Sequence, residues 1–160
     1  MLRGTLLLLV AFLFSLSGAF AQASKKGGKE LSTKDLQKMY TEYLQSEGFQ
    51  PEIDEDGDVR FKFEGKTYFI AVDAEDTECF RVVLANIWEI ESEEEREKVR
   101  LAMDYCNATA KVTKAYMVKD NVWVSIETFI AKPEDFKVIF KRSLSALNHG
   151  VGLYVKKMRE

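Results

Sequence analysis

Side chains that perform chemistry are scarce in this sequence. One histidine, two cysteines and two prolines stand among 160 residues. The single histidine, His149, falls where the last turn of a helix is expected, a place that suits a partly charged imidazole. A serine–histidine triad built on it would need a nucleophile elbow, and no G-x-S-x-G occurs. Glycine-rich phosphate loops, Walker motifs and cysteine–histidine metal spacings are likewise absent from the sequence. The sequence therefore offers no catalytic, cofactor-binding or metal-ligating residue and points away from an enzyme. Cys79 and Cys106 have no histidine beside them, which makes them poor ligands or nucleophiles. They are either a disulfide pair, as an oxidising compartment permits, or two separately buried small hydrophobes. Spacing does not decide, because it does not fix the Cα separation a bridge requires.

A large excess of one charge is also missing. The 26 acids barely outnumber the 23 bases, for a formal charge of −3. Nucleic acid rewards a dense basic surface through counterion release, and an anionic membrane surface asks for the same, so neither partner is expected. Only one long apolar run occurs, Thr5 to Phe20, behind the short positive start Met1-Leu2-Arg3. It is short for a bilayer core of ~30 Å. Small residues follow at signal-peptidase spacing, Ala19-Phe20-Ala21 or Ala21-Gln22-Ala23. Residues 1–23 read as a signal peptide, with an uncleaved anchor as the alternative. With no cysteine near the cleavage site, lipoprotein processing is ruled out. The mature chain is thus expected in the periplasm or outside the cell, with no stable membrane insertion. Lys25, Lys26 and Lys29 beside Gly27-Gly28 mark residues 24–31 as a flexible tail, and residues 32–160 are long enough for one domain with a real core.

Apolar periodicity fills in that domain. Ser32 is an N-cap with Asp35 in position to imitate a capping box, and Leu36, Met39, Tyr40, Tyr43 and Leu44 form one helical stripe that Gly48 ends. From Phe49 the period changes to two. Phe49–Ile53 is a short edge strand because of Pro51. Val59, Phe61 and Phe63 alternate with charges; Gly65-Lys66 turns the chain into Thr67–Asp73, and Cys79–Ile90 completes a meander. Ser92 and Glu95 form a capping box for a helix with Val99, Ala102, Met103 and Cys106 as its stripe. Two strands follow, Lys111–Val118 and Val122–Ile130, joined through Lys119-Asp120-Asn121. Pro133 starts the last helix, and Gly150 or Gly152 ends it. The order α-ββββ-α-ββ-α makes a single α+β domain, a mainly antiparallel sheet of about six strands with helices packed on it.

The stretch Asp54-Glu55-Asp56-Gly57-Asp58 carries acids at calcium-loop spacing. An EF-hand loop started at Asp54 would put Val59 where glycine is required and Gly65 where a bidentate glutamate is required. Asp56-Gly57 between alternating apolar runs is instead a hairpin signal. Asn107-Ala108-Thr109 matches the glycosylation acceptor pattern, which matters only in a host that modifies such sites. The charge run Glu89–Glu97 reads as a solvated helix start.

A second sheet face remains. Phe69, Ala71, Val83, Ala85, Met117, Trp123 and Phe129 are read as lying opposite the core positions. That is more apolar than a face meant for water alone. Either helices cover it, or it is a platform for a partner or a second copy. Phe69, Val83, Met117, Trp123 and Phe129 are the candidate partner-binding residues.

Gly48-Phe49, Asp56-Gly57-Asp58-Val59-Arg60-Phe61, Gly65-Lys66-Thr67-Tyr68, Asp104-Tyr105-Cys106-Asn107 and Val122-Trp123-Val124 together resemble YbjN-like bacterial proteins over residues 35–160. The resemblance implies the fold of small type III secretion chaperones, which hold extended partner segments and often dimerise. It implies a non-enzymatic binding protein with a protein or peptide partner, without naming that partner. A leader peptide departs from the secretion chaperones, which work in the cytoplasm. The alternative is a small-molecule carrier with an apolar cavity lined by Phe61, Tyr68, Phe80 and Phe136.

Overall fold

The first two helices each begin on a serine that completes their backbone. The computed structural model describes residues 31–160; the expected signal peptide and the expected tail as far as residue 30 lie outside the described residues. Leu31, assigned above to the tail, is half-buried against the core. Helix α1 spans Thr33–Ser46. The Asp35 N–H donates to Ser32 Oγ at 3.2 Å, and the Ser32 N–H donates to Asp35 Oδ2 at 3.0 Å, so the capping box is complete. Gly48, at φ +87°, lets its own N–H reach Gln45 O and the Phe49 N–H reach Leu44 O, both at 3.0 Å. That is a Schellman stop, and only a residue tolerant of positive φ makes it cheaply.

Six strands form one antiparallel sheet in the order β1-β2-β3-β4-β6-β5. They are β1 Glu52–Ile53, β2 Val59–Phe63, β3 Lys66–Ile70, β4 Cys79–Glu89, β5 Thr113–Val118 and β6 Asn121–Phe129. Helix α2, Glu93–Thr109, links β4 to the edge strand β5, and β6 then returns beside β4. The expected element order holds. One hairpin turns a residue earlier than expected, and another is a residue shorter. Glu64 and Gly65, both at positive φ, are the two loop residues between Phe63 and its partner Lys66. Lys119-Asp120 joins Val118 to its partner Asn121. Two-residue loops with positive φ twist in the sense the flanking strands need.

The last helix differs most from its sequence reading. Pro133 opens a 3-10 turn, Pro133–Asp135, and α3 runs from Phe136 to Met158 straight through both glycines. His149 is therefore an exposed mid-helix residue and not a terminal one. Gly150 is a contact point rather than a stop. A Cβ placed there would lie 2.4 Å from Thr113 Cγ2, so the absence of a side chain is what brings α3 against β5.

All three helices pack on one face of the sheet, over Val59, Phe61, Tyr68, Ile70, Phe80, Val82 and Leu84. Tyr40 and Phe136 meet edge-on at 4.8 Å, Phe80 and Phe136 lie 5.6 Å apart, and Phe61 stacks on Tyr68 at 5.5 Å. These are ordinary aromatic contact distances. The four rings assigned to a ligand cavity thus fill the interior with one another, each at most 1% exposed.

Candidate functional site

With the helices on one side, the other face of the sheet has no covering element among the described residues. Strand alternation decides which side chains it carries. Val124, Ile126, Phe80, Val82 and Leu84 point to the core, so Trp123, Ser125, Glu127, Phe129, Arg81 and Val83 point outward. Phe69 pairs with Val83, and Val83 with Ser125, in one row across the sheet. Four of the five candidate residues, Phe69, Val83, Trp123 and Phe129, therefore share this face. Phe129 is 82% exposed, whereas Val83 is buried at 4%.

Met117 does not belong there. It pairs with core-facing Val122, packs against the core, and receives the Arg96 Nη1–H of α2 at 3.8 Å on its sulfur. The outward residues of β5 are Lys114, Tyr116 and Val118 instead. The sequence carried this phase, because Lys114 is a charge that strand burial rejects, and Tyr116 shares its parity.

The face is also less apolar than the sequence suggested. Arg81 Nη2 donates to Tyr116 Oη at 2.7 Å, and Arg81 Nε lies 3.3 Å from Glu127 Oε1. Lys114 Nζ donates to Glu127 Oε2 at 3.1 Å and stands 5.4 Å from the centre of the Tyr116 ring. Ser125 Oγ donates to Glu127 Oε1 at 3.0 Å. Partial burial pushes the Glu127 carboxyl up, but the hydrogen bonds from Lys114 and Ser125 and the charges of Lys114 and Arg81 outweigh it and hold the group below the usual glutamate range. Glu127 is thus an anion fixed between two cations. Beside this network Trp123 lies 6.4 Å from the Tyr116 ring, and its indole N–H donates to Asn86 Oδ1 at 2.9 Å. Asn86, at φ +53°, sits in the bulge between Leu84 and Trp88 that interrupts the β4–β6 pairing. Asparagine tolerates that backbone region, and a bulge re-aims side chains. Arg81, Lys114, Tyr116, Asn86 and Glu127 were missed in the sequence because a network across three strands leaves no local spacing to read.

The acid–glycine stretch closes a turn. Asp54 Oδ1 accepts the N–H groups of Asp56 and Asp58 at 3.1 and 2.9 Å, and Gly57 takes φ +90°. Asp58 Oδ1 accepts the Val72 N–H at 2.9 Å, and Gln37 of α1 donates to Gly57 O at 2.8 Å. Burial raises the Asp58 carboxyl above its ordinary range, and the Val72 hydrogen bond offsets part of that. The cysteines are unpaired: Cys79 opens β4, and buried Cys106 donates its S–H to Gly150 O at 3.3 Å. The disulfide left open by the sequence is not made, and burial raises both thiols. An open groove of about 280 Å³ lies elsewhere, where Met39 and Tyr43 of α1 meet Lys137 of α3.

A helix-backed antiparallel sheet with one open, mixed aromatic and charged face defines a class of small binding domains. The chain belongs to the family described as T3SS (YopN, CesT) and YbjN peptide-binding chaperone 1, TY-Chap1, whose model matches residues 34–136, from α1 to the start of α3. The YbjN-like resemblance is therefore correct. No curated protein matches the chain. Among solved structures, the chain is similar to an uncharacterized protein from Methanothermobacter thermautotrophicus, with a TM-score of 0.53 at 14% identity. That similarity covers 78% of this chain and 96% of the other, and it shows the fold alone.

Proposed function

We propose that the protein is a non-enzymatic chaperone-type binder that takes an extended peptide segment on the open face of its sheet. The family is a peptide-binding chaperone type, which supports binding in place of catalysis. The observation that carries the location is the cluster of Trp123, Tyr116 and Phe69 around the Arg81–Glu127–Lys114 network, with Phe129 exposed at its margin. Aromatic and arginine side chains contribute most where partners dock. A peptide with apolar residues flanked by a carboxylate fits, since the rings give sequence-tolerant contact area and Arg81 and Lys114 give donors.

The signal-like start of the sequence supports action outside the cytoplasm, in the periplasm or the medium, after cleavage near residue 23. A carrier of small apolar molecules is less well supported, because the rings that would line its cavity pack against one another.

An array of extended peptides tiled from the envelope proteins of the host tests the reading. The chain from residue 24 onward is expected to bind a subset enriched in apolar residues beside Asp or Glu, and Trp123→Asp to lose that subset while keeping its circular dichroism. Equal binding by the folded variant would place the site on another surface. An array with no bound peptide would remove the peptide-binding reading altogether.

A further inference from the structure

One row of side chains on the open face has a cation at each end. Strand pairing sets Arg60 of β2 beside Phe69 of β3, and Phe69 beside Val83 of β4. Val83 pairs with Ser125 of β6, and Ser125 with Lys114 of β5 at the far edge. All five point away from the helices, because the residues on either side of them along each strand are buried. The row is low in the middle and raised at its ends. Val83 and Ser125 are buried, whereas the Arg60 and Lys114 side chains are 50% and 58% exposed. Each end already holds a carboxylate. Arg60 Nε donates to Glu52 Oε2 at 3.0 Å, and Lys114 Nζ donates to Glu127 Oε2 at 3.1 Å. Pairs this exposed hold weakly, so a carboxylate from outside can exchange into them. Glu127 keeps Arg81 and Ser125 when Lys114 turns away.

From Arg60 to Lys114 is four strand spacings, about 19 Å at ~4.8 Å each. An extended chain rises ~3.3 Å per residue, so a segment lying across the strands covers that distance in about six residues. Side chains six apart also fall on the same side of an extended chain, whereas those five or seven apart fall on opposite sides. Resting on the peptide-binding reading above, we propose that the row measures its partner: it selects extended segments with two carboxylates about six residues apart, one for Arg60 and one for Lys114. The second and fourth residues after the first acid then face the sheet over Phe69, Val83 and Ser125, where apolar side chains fit the low middle. The pattern is acid-x-apolar-x-apolar-x-acid, and it reads alike in both directions because both ends of the row are cations. A lone acid engages one end only. Lys62, the other outward cation of β2, pairs with Thr67 in the next row and has no part in the measurement.

NMR titration of the chain from residue 24 onward with capped synthetic peptides tests the proposal. The probe is a heptapeptide with aspartate at both ends, leucine third, valine fifth and serine elsewhere. Two companions have one serine fewer or one more between the acids, and a third has one aspartate replaced by asparagine. The heptapeptide is expected to shift the Arg60 and Lys114 amides together and to bind roughly tenfold more tightly than its companions, the size of one hydrogen bond to a charged group. Arg60→Ala and Lys114→Ala are each expected to erase that advantage, and Lys62→Ala to preserve it, with circular dichroism unchanged in all three. Equal affinity for the three lengths, with shifts still on the open face, would overturn the spacing rule and leave the peptide site standing. No shifts with these probes while array peptides bind would likewise overturn the rule alone. An advantage that survives Arg60→Ala or Lys114→Ala would overturn the assignment of the two ends. No binding in either experiment would remove the rule and the peptide-binding reading together.

Discussion

Single residues set the closest tolerances in this domain. At Gly150 the backbone of α3 approaches Thr113 so nearly that a methyl group has no room. Gly150→Ala is expected to cost about 1–3 kcal/mol through overpacking. Gly152, exposed two residues later in the same helix, meets nothing within 4 Å. Gly152→Ala should gain about 0.5–1 kcal/mol from helix propensity. Thermal unfolding of the pair checks both signs, and equal effects would show that the contact with Thr113 is not what selects glycine at position 150. Asp58 gives a prediction in pH. Burial raises its folded pKa above the unfolded value, so its contribution is most favourable in acid and is lost as pH rises through the folded pKa. Asp58→Asn keeps an acceptor for the Val72 N–H and cannot ionise. Its stability relative to the parent should therefore rise between about pH 3 and about pH 7. Urea unfolding at the two pH values measures the difference, and a constant difference would show a carboxylate that water solvates fully.

Among the elements, the start of α2 departs from a simple rule. Ser92 caps the helix by accepting the Glu95 N–H at 3.1 Å, as its spacing predicts. The Glu95 carboxylate does not complete the box on Ser92. It accepts the Glu91 N–H at 2.7 Å and the Trp88 indole N–H at 2.8 Å, tying the helix to the end of β4. Those two bonds, the Glu91 amide first, hold its pKa below the ordinary glutamate value. The sign is opposite to that of Asp58: this stabilisation is present above the unfolded pKa and disappears as pH falls through the folded one. Trp88 fluorescence should therefore change in that acid range, and Glu95→Gln should abolish the transition. A transition that persists in Glu95→Gln would belong to another carboxylate. Aromatic burial in α1 acts on a different group: Tyr40, beside Phe80 and Phe136, has its phenol pushed up to about 12, first by burial and then by nearby Cys79.

At the scale of the whole molecule, the asymmetry of the layers matters most. Three helices on one side leave a sheet whose opposite face must make its own peace with water. It does so through the Arg81–Tyr116–Lys114–Glu127 network, which surrounds apolar Val83 and Phe69 with charge. Such a face is soluble without being inert. If it is the docking surface, Arg81→Ala should weaken peptide binding by removing a donor and releasing Tyr116 and Glu127 together. Lys62→Ala, an exposed outward residue of β2 outside the network, should leave binding unchanged. Fluorescence titration of a bound peptide against the two variants distinguishes them. Equal losses would indicate general charge attraction, because a positioned site does not respond equally to a positioned and an unpositioned cation.

The sequence by itself determined what neighbours along the chain can decide. Period-two and period-3.6 patterns located six strands and three helices in order, Ser32 and Gly48 placed the ends of α1, and the Asp54–Asp58 spacing resolved to a turn. Each of these rests on residues within about one turn of one another, where local sterics and hydrogen bonds dominate. Tertiary structure alone decided the rest. Gly150 looked like a stop until β5 was found against it, because a helix glycine carries no mark of what lies across the gap. Met117 is the exception: Lys114 already marked the phase of β5 in the sequence, and the pairing with β6 agrees with it. Cys79 and Cys106 stay apart, and Asn107 reaches Ala115, for the same physical reason: contacts between elements depend on how layers pack, and that geometry is written in no single stretch of the chain.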